Sequence, residues 1–313
     1  MYNVLEVISL LLKFSRIFGL APYSQREQFF IKSNFWRYYS YLAFLLNLLL
    51  QLYNFERLIA DYKFKPTIEN IAWACSTITS RLNSIISIVP IMYNNCVIEE
   101  LLHFLNKNLF KNNNIRIYKK DFEKFKFSIH ILSVICFVIA TTLPAIQIFC
   151  YFNSWQLTFF NQIITSFSLL VRTLITIAVF GQFITFISLC QFCVQTINSN
   201  ICHQNFNNSK KKLIHYGRHY LYFLKELKLI DFQLKIFGEK IVNIYGIFIC
   251  LLGIGAIAET IHELTFNLIL SKKLTCQGGL SYYWISYFWL MLIGILSSLV
   301  SLKISVSLIF KLY

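Results

Sequence analysis

From 127 to 171 the chain runs through apolar and uncharged polar positions without a single Asp, Glu, Lys or Arg. Crossing roughly 30 Å of hydrocarbon takes about 20 apolar residues in a helix. That stretch is too long for one crossing, so it reverses at "FNSW", 152–155, where Asn153 and Ser154 supply turn chemistry. The same pattern marks six spans in all, at 36–58, 71–94, 127–151, 157–197, 237–270 and 281–308. At about 1.5 Å of rise per residue the fourth and fifth exceed the bilayer, and each is expected to protrude as helix. Between them, Leu221, Leu224, Leu227, Leu229, Ile230 and Leu234 keep a helical stripe in an otherwise polar stretch, which predicts a helical region outside the membrane. Ahead of the first span, Leu5, Ile8, Leu11, Leu12 and Ser15 share one face, suited to a helix on the membrane surface or packed on the bundle.

The expected fold is therefore an all-α, multi-pass transmembrane helical bundle. A cytoplasmic segment 1–35 precedes spans one to four in 36–198, with a cytoplasmic loop at 95–126; a helical anchor region fills 199–236, and spans five and six lie in 237–313. Composition agrees, with 57% hydrophobic, 17% aromatic and only 14% charged residues. The formal charge of +15 would suit nucleic acid, but the cations are interleaved between apolar runs rather than gathered on one polar face, so no nucleic-acid partner is expected. They serve instead as an orientation signal. With the N-terminus in the cytoplasm, the inner segments hold Lys13, Arg16, Arg26, Lys32 and Arg37, seven cations at 107–126, eight at 210–240, and Lys303 and Lys311. The outer loops hold Arg57, Lys63, Lys65, Lys272 and Lys273 alone, which is the positive-inside bias. "MYNVLEVISLLLKF" has no basic start and carries Glu6 in its apolar run, unlike a secretory leader. The nine cysteines lie mostly within apolar stretches and read as small buried hydrophobes. "SKKK" at 209–212 and "YKKDFEKFKF" at 118–127 fit attraction to anionic inner-leaflet lipid.

A short "GLAPYS" element before the first span, a basic loop after the second, an overlong fourth helix ending in "QTIN", and "LKELKLIDFQLKIFGEKIVNIYG" leading into the fifth carry a resemblance. Over nearly its whole length the chain resembles the insect gustatory receptors of the insect chemoreceptor superfamily. The resemblance implies a plasma-membrane, ligand-gated cation channel subunit that assembles as a homo- or heterotetramer and responds to a small external tastant bound in the outer half of its helices. It also implies that "SRIFGLAPYS" is a cytoplasmic lead-in, with Arg16 at the headgroups and Gly19 and Pro22 breaking the preceding helix. The family carries a seventh span with a Thr-Tyr, apolar, Gln-Phe signature lining the pore. This sequence reaches "KISVSLIFKLY" at the end of the sixth, and the look-alike "TLITIAVFGQF" at 173–183 falls in the fourth. A non-conducting, truncated subunit that associates with and modulates full-length receptors is the alternative expectation.

Candidate ligand-lining residues are aromatic or neutral-polar positions at outer span ends: Trp73 and Thr77; Gln147 and Tyr151; Trp155, Phe159 and Gln162; Tyr282, Tyr283, Trp284 and Tyr287. Aromatic faces stack on sugar rings and apolar tastants, and Gln or Thr orients them by hydrogen bonds. An interfacial aromatic belt would place "SYYWISYFW" equally well. Arg81 and Arg172 lie within spans, and Glu259 and Glu263 lie below the outer end of the fifth at similar depth. A charge at mid-bilayer costs about 2.5–3.5 kcal/mol on insertion scales. A carboxylate–arginine pair is expected, either beside a polar cavity or purely structural, with snorkelling as the remaining option.

Enzyme chemistry finds no foothold. "CQFC" at 190–193 with Cys202 and His203 has metal-ligand residue types, but on a long apolar helix rather than a knuckle. His215 and His219 sit on a basic helix, and His262 with Glu263 lacks a zincin's second histidine. No phosphate loop, nucleophile elbow or carboxylate pair occurs, so no catalytic residue, metal or cofactor is expected. G-protein-coupled receptors need the opposite orientation and Asp-Arg-Tyr or Asn-Pro-x-x-Tyr strings, which are absent, and Pro90 and Pro144 do not make a transporter's paired half-helices. One acceptor tripeptide tests the orientation. Asn207 of "NNS" falls on the cytoplasmic side, so protein from a eukaryotic host should migrate identically before and after endoglycosidase; a glycan on Asn207 would invert the topology.

Overall fold

A computed structural model describes residues 4–21, 23–26, 29–61, 68–110, 115, 117–154, 159–208 and 217–270. They form α1 (Val4–Ile17), a hairpin of β1 (Tyr23–Arg26) and β2 (Phe29–Lys32), α2 (Asn34–Asp61), α3 (Ile68–Ile86), α4 (Ile88–Tyr93), α5 (Asn95–Leu105) with a π-helical turn (Asn106–Phe110), α6 (Lys119–Ser154), α7 (Phe159–Asn208) and α8 (Gly217–Leu270). The fold is all-helical apart from that hairpin, whose antiparallel register pairs Tyr23 with Lys32 and Arg26 with Phe29. Strands of four residues are too short to impose a readable period of two, which is why hydropathy alone passes over them.

Four helices are far longer than the average of 11 or 12 residues: α2 has 28, α6 36, α7 50 and α8 54. Among the described residues two helices are long and apolar enough to cross a membrane, Gln162–Asn200 and Leu221–Gly255, with mean hydropathy 2.1 and 1.6. A third follows if Thr77–Tyr93 and Val97–Phe110, bent by 59°, are taken as one span. Asn153 and Ser154, expected to turn the chain, belong to the end of α6, while 155–158 and 281–308 lie outside the described residues. The segment read as a cytoplasmic loop, 95–126, contains α5 and the start of α6, and α8 runs without interruption through the expected boundary at 236.

The chain divides into two compact units. The first comprises Met1–Ala43, Ile88–Ile139 and Ile177–Tyr245, and the second Phe44–Ser87, Ala140–Thr176 and Gly246–Tyr313. In the first, α1 buries Ile8, Leu11, Leu12 and Ser15 of the face read from its spacing, together with Val7, while the side chain of Leu5 lies outside the described residues. Gly181 of α7 makes that approach possible, since a Cβ there would lie 3.1 Å from Leu11 Cδ1 and 3.3 Å from Cys136 Sγ. Phe125 stacks on Phe192 at 4.6 Å, with Phe110 and Phe122 at the edges of the same cluster. On α8 the buried stripe is Phe223, Leu227, Ile230, Leu234, Phe237 and Ile241, a helical repeat offset from the sequence reading. Leu221 and Leu229, assigned to the packed stripe, are exposed, because leucine spacing alone does not say which side of a helix meets a partner.

The N-terminal element closes α1 through a Schellman motif. Gly19 takes φ +73°, the Leu20 N–H donates to the Ser15 carbonyl at 3.0 Å, and the Gly19 N–H donates to that of Arg16 at 3.0 Å. Gly19 also lies against α2, where a Cβ would meet Ala43 Cβ and Ser40 Cα at 3.0 Å each. The Arg16 guanidinium, expected at the headgroups, instead sits 4.9 Å over the Trp36 ring. Burial there holds its pKa below the usual arginine value. Tyr39 adds a hydrogen bond from its hydroxyl to the Ile17 carbonyl at 2.6 Å. Gly19→Ala should therefore lower stability by about 1–2 kcal/mol in detergent-based thermal unfolding. Gly238→Ala, whose Cβ would meet nothing within 4 Å, should be neutral or stabilise by about 0.5–1 kcal/mol.

Candidate functional site

The second unit holds a polar network inside apolar helices. On α2, Asn47, Gln51 and Asn54 recur at i, i+4 and i+7 and are only 3%, 2% and 5% exposed, while Leu46, Leu49 and Leu52 on the other side are 57%, 55% and 52% exposed. A helix in water does the reverse. The same inversion marks α3, where Thr79, Asn83 and Ser84 are buried and Ile71, Ile78 and Leu82 are exposed. An apolar surround would select this arrangement, because an outward amide would have no partner there and an outward leucine would lose nothing.

The buried amides of α2 find their partners across three helices. Asn47 Nδ2 donates to the Ser84 carbonyl at 3.1 Å, and Gln51 Nε2 donates to Asn47 Oδ1 at 3.3 Å. From α7, Ser168 Oγ donates to Gln51 Oε1 at 3.2 Å and Thr165 Oγ1 donates to Asn54 Oδ1 at 3.3 Å. Arg81 Nη1 donates to the Gln51 carbonyl at 3.2 Å. Hydrogen bonds between membrane helices contribute only about 0.6–2 kcal/mol each. Their main effect is to specify which face of α2 packs, since a wrong rotation would strand several amides at once.

Most candidate ligand residues fall outside what can be compared. Trp73, Gln147, Tyr151 and Phe159 lie in α3, α6 and the start of α7, but their side chains, like those of Glu259 and Glu263 in α8, lie outside the described residues. Trp155, Tyr282, Tyr283, Trp284 and Tyr287 lie outside them altogether. Thr77 and Gln162 are half-buried on α3 and α7. Arg81 and Arg172 both belong to the second unit; Arg81 engages a backbone carbonyl of α2, and the Arg172 carbonyl accepts Thr176 Oγ1 at 2.9 Å. Asn47, Gln51, Asn54, Ser84, Thr165 and Ser168 were not singled out by sequence reasoning. Their signal was present in "LLNLLLQLYNF", where three amides keep helical spacing inside an apolar run.

Chemically, the network offers neutral amide and hydroxyl donors and acceptors beside two arginines. Among the described residues no group of His, Cys, Asp and Glu is placed to hold a metal ion. No protein-family model matches the chain, and no curated protein is significantly similar to it. Gln51→Leu keeps the bulk but strands Ser168 Oγ and the Asn47 amide, so it should cost about 1–3 kcal/mol. Leu49→Gln, on the exposed face, should instead reduce membrane insertion and leave packing of the network unchanged; circular dichroism melts and membrane-fraction yield separate the two effects.

Proposed function

We propose that this chain is a multi-pass plasma-membrane chemoreceptor of the gustatory type, a subunit of a ligand-gated cation channel responding to a small external tastant. The observation that carries the reading is the inversion of α2 and α3, with a neutral polar network turned inward and leucines turned outward. In lipid, inward polar residues line ligand or ion pathways or lock helices together, and a receptor that must bind a polar molecule within its helices needs both. The resemblance of "GLAPYS", "QTIN" and 224–246 to insect gustatory receptors supplies the rest.

The proposed topology has six spans and a cytoplasmic N-terminus. Charge supports it. The first unit carries five Lys and Arg in Met1–Ala43, seven in Ile88–Ile139 and eight in Ile177–Tyr245, of 29 in the chain. Cations concentrate on the side that resists translocation. Ligand binding favours the open arrangement by its differential affinity for the two states. In whole-cell recording, cells expressing the chain alone should show tastant-evoked cation current that Arg172→Ala diminishes without loss of surface protein. Current that requires co-expressed full-length receptors would assign the modulatory role instead. A purified product monodisperse without detergent would end both readings.

A further inference from the structure

The first turns of α2 have one covered face and one open face. On the covered side Trp36 lies under the Arg16 guanidinium, the Tyr39 hydroxyl donates to the Ile17 carbonyl, and Ser40 is buried. On the open side Phe35, Tyr38, Tyr41 and Leu42 recur at helical spacing, with Phe35 and Tyr38 69% and 73% exposed. Arg37 stands at the edge of that open side. Its Nε donates to the Tyr41 hydroxyl at 3.4 Å, and its guanidinium carbon lies 5.9 Å from the centre of the Tyr41 ring. A guanidinium has a fork of several N–H donors, so one bond to a tyrosine leaves most of its capacity unused. No Asp or Glu occurs from 29 to 55, and among the described residues no carboxylate pairs with Arg37. The Tyr41 oxygen accepts from Arg37, which leaves its own proton to donate. A cationic fork beside a hydroxyl donor fits a phosphate, which arginine holds through parallel N–H bonds.

Position along the helix decides what carries that phosphate. After Arg37 the next charged side chain is Glu56. On the uninterrupted α2 the two are about 28 Å apart along the axis, against roughly 30 Å of hydrocarbon in a bilayer. Arg37 therefore falls at one boundary of the hydrocarbon, where phosphodiesters lie and where tyrosines collect. Leu42, also exposed, begins the apolar side that acyl chains cover. We propose that Arg37 and Tyr41, flanked by Phe35, Tyr38 and Leu42, form a binding site for the headgroup of an anionic phospholipid. Arg37 holds the phosphate, the Tyr41 hydroxyl donates to it, and Tyr38 and Leu42 cover the glycerol backbone and the first methylenes. A choline headgroup is disfavoured, because its ammonium would sit beside a guanidinium with no carboxylate to receive it. With the N-terminus in the cytoplasm the site faces the inner leaflet, where anionic lipids are concentrated. The inference rests on the membrane reading and is independent of any tastant response.

The test is native mass spectrometry of the purified full-length protein, released from dodecyl maltoside micelles doped with equal amounts of dioleoyl phosphatidylglycerol and dioleoyl phosphatidylcholine. Wild type should retain phosphatidylglycerol in excess. Arg37→Gln should reduce that excess about fivefold, the contribution of one cation at an anionic surface. Arg37→Lys keeps the charge without the fork and should lose part of the excess, as should Tyr41→Phe. Both side chains are exposed, so the Tm in lipid-free detergent should not change. Because the chain carries 29 Lys and Arg, Lys225→Gln, at an exposed position of α8, measures diffuse attraction and should leave the excess unaltered. Free sn-glycerol 3-phosphate should not displace the lipid, since it lacks the chains. Equal retention of both lipids by wild type, an unaltered excess in Arg37→Gln, an equal loss in Lys225→Gln, or displacement by glycerol phosphate each overturns the proposal. Lipid preference without evoked current would sink the receptor reading alone; current without lipid preference would sink this site alone.

Discussion

Satisfaction of polar groups where no water can do it is the constraint on which the second unit depends. Each amide on α2 and α3 that lies among leucines must find its partner within the protein. The outcome is helices turned inside out relative to those of a water-soluble protein, with Asn47, Gln51 and Asn54 inward and Leu46, Leu49 and Leu52 outward. Once α2 is rotated to bury its amides, Ser84 on α3 and Thr165 and Ser168 on α7 are fixed opposite them. Each bond is weak, and the set is decisive because one rotation breaks all of them together.

The first unit works by a different balance. It is packed by aromatic and aliphatic side chains, and a buried polar chain ties the N-terminal element to α7 and α8: Tyr245 donates its hydroxyl to Gln182 Oε1 at 3.0 Å, and Gln182 Nε2 donates to the Leu20 carbonyl at 3.2 Å. Leu20 is in turn held by the Schellman closure of α1. A left-handed glycine thus decides where the N-terminal strap enters, and a buried glutamine decides where it stays. Neither group is reactive, and both act by position.

The proposed function draws on the same contrast. A network of neutral amides and hydroxyls has no group that takes up or loses a proton near neutral pH, so it suits recognition rather than proton transfer.

Much of the fold was legible beforehand because long apolar runs and helical spacing report helices and their packed faces directly. The length of α7, most of the packed face of α1 and the stop at Gly19 follow from apolar run length, helical spacing and a glycine. The candidate site was less legible. Searching for aromatics and charges passed over neutral amides, whose spacing was visible but whose direction was not. Sequence by itself determined that several of these helices are unusually apolar and unusually long, since both depend on local composition, whereas the start of α8 at Gly217 and the helices within 95–126 were not read from it. Only tertiary structure decided that Leu221 and Leu229 face outward, that Arg16 lies over Trp36, that Arg81 reaches the Gln51 carbonyl, and that Asn83 and Ser87 keep unpartnered atoms. Those outcomes depend on the rotation of one helix against another, which is set by partners far away in the chain.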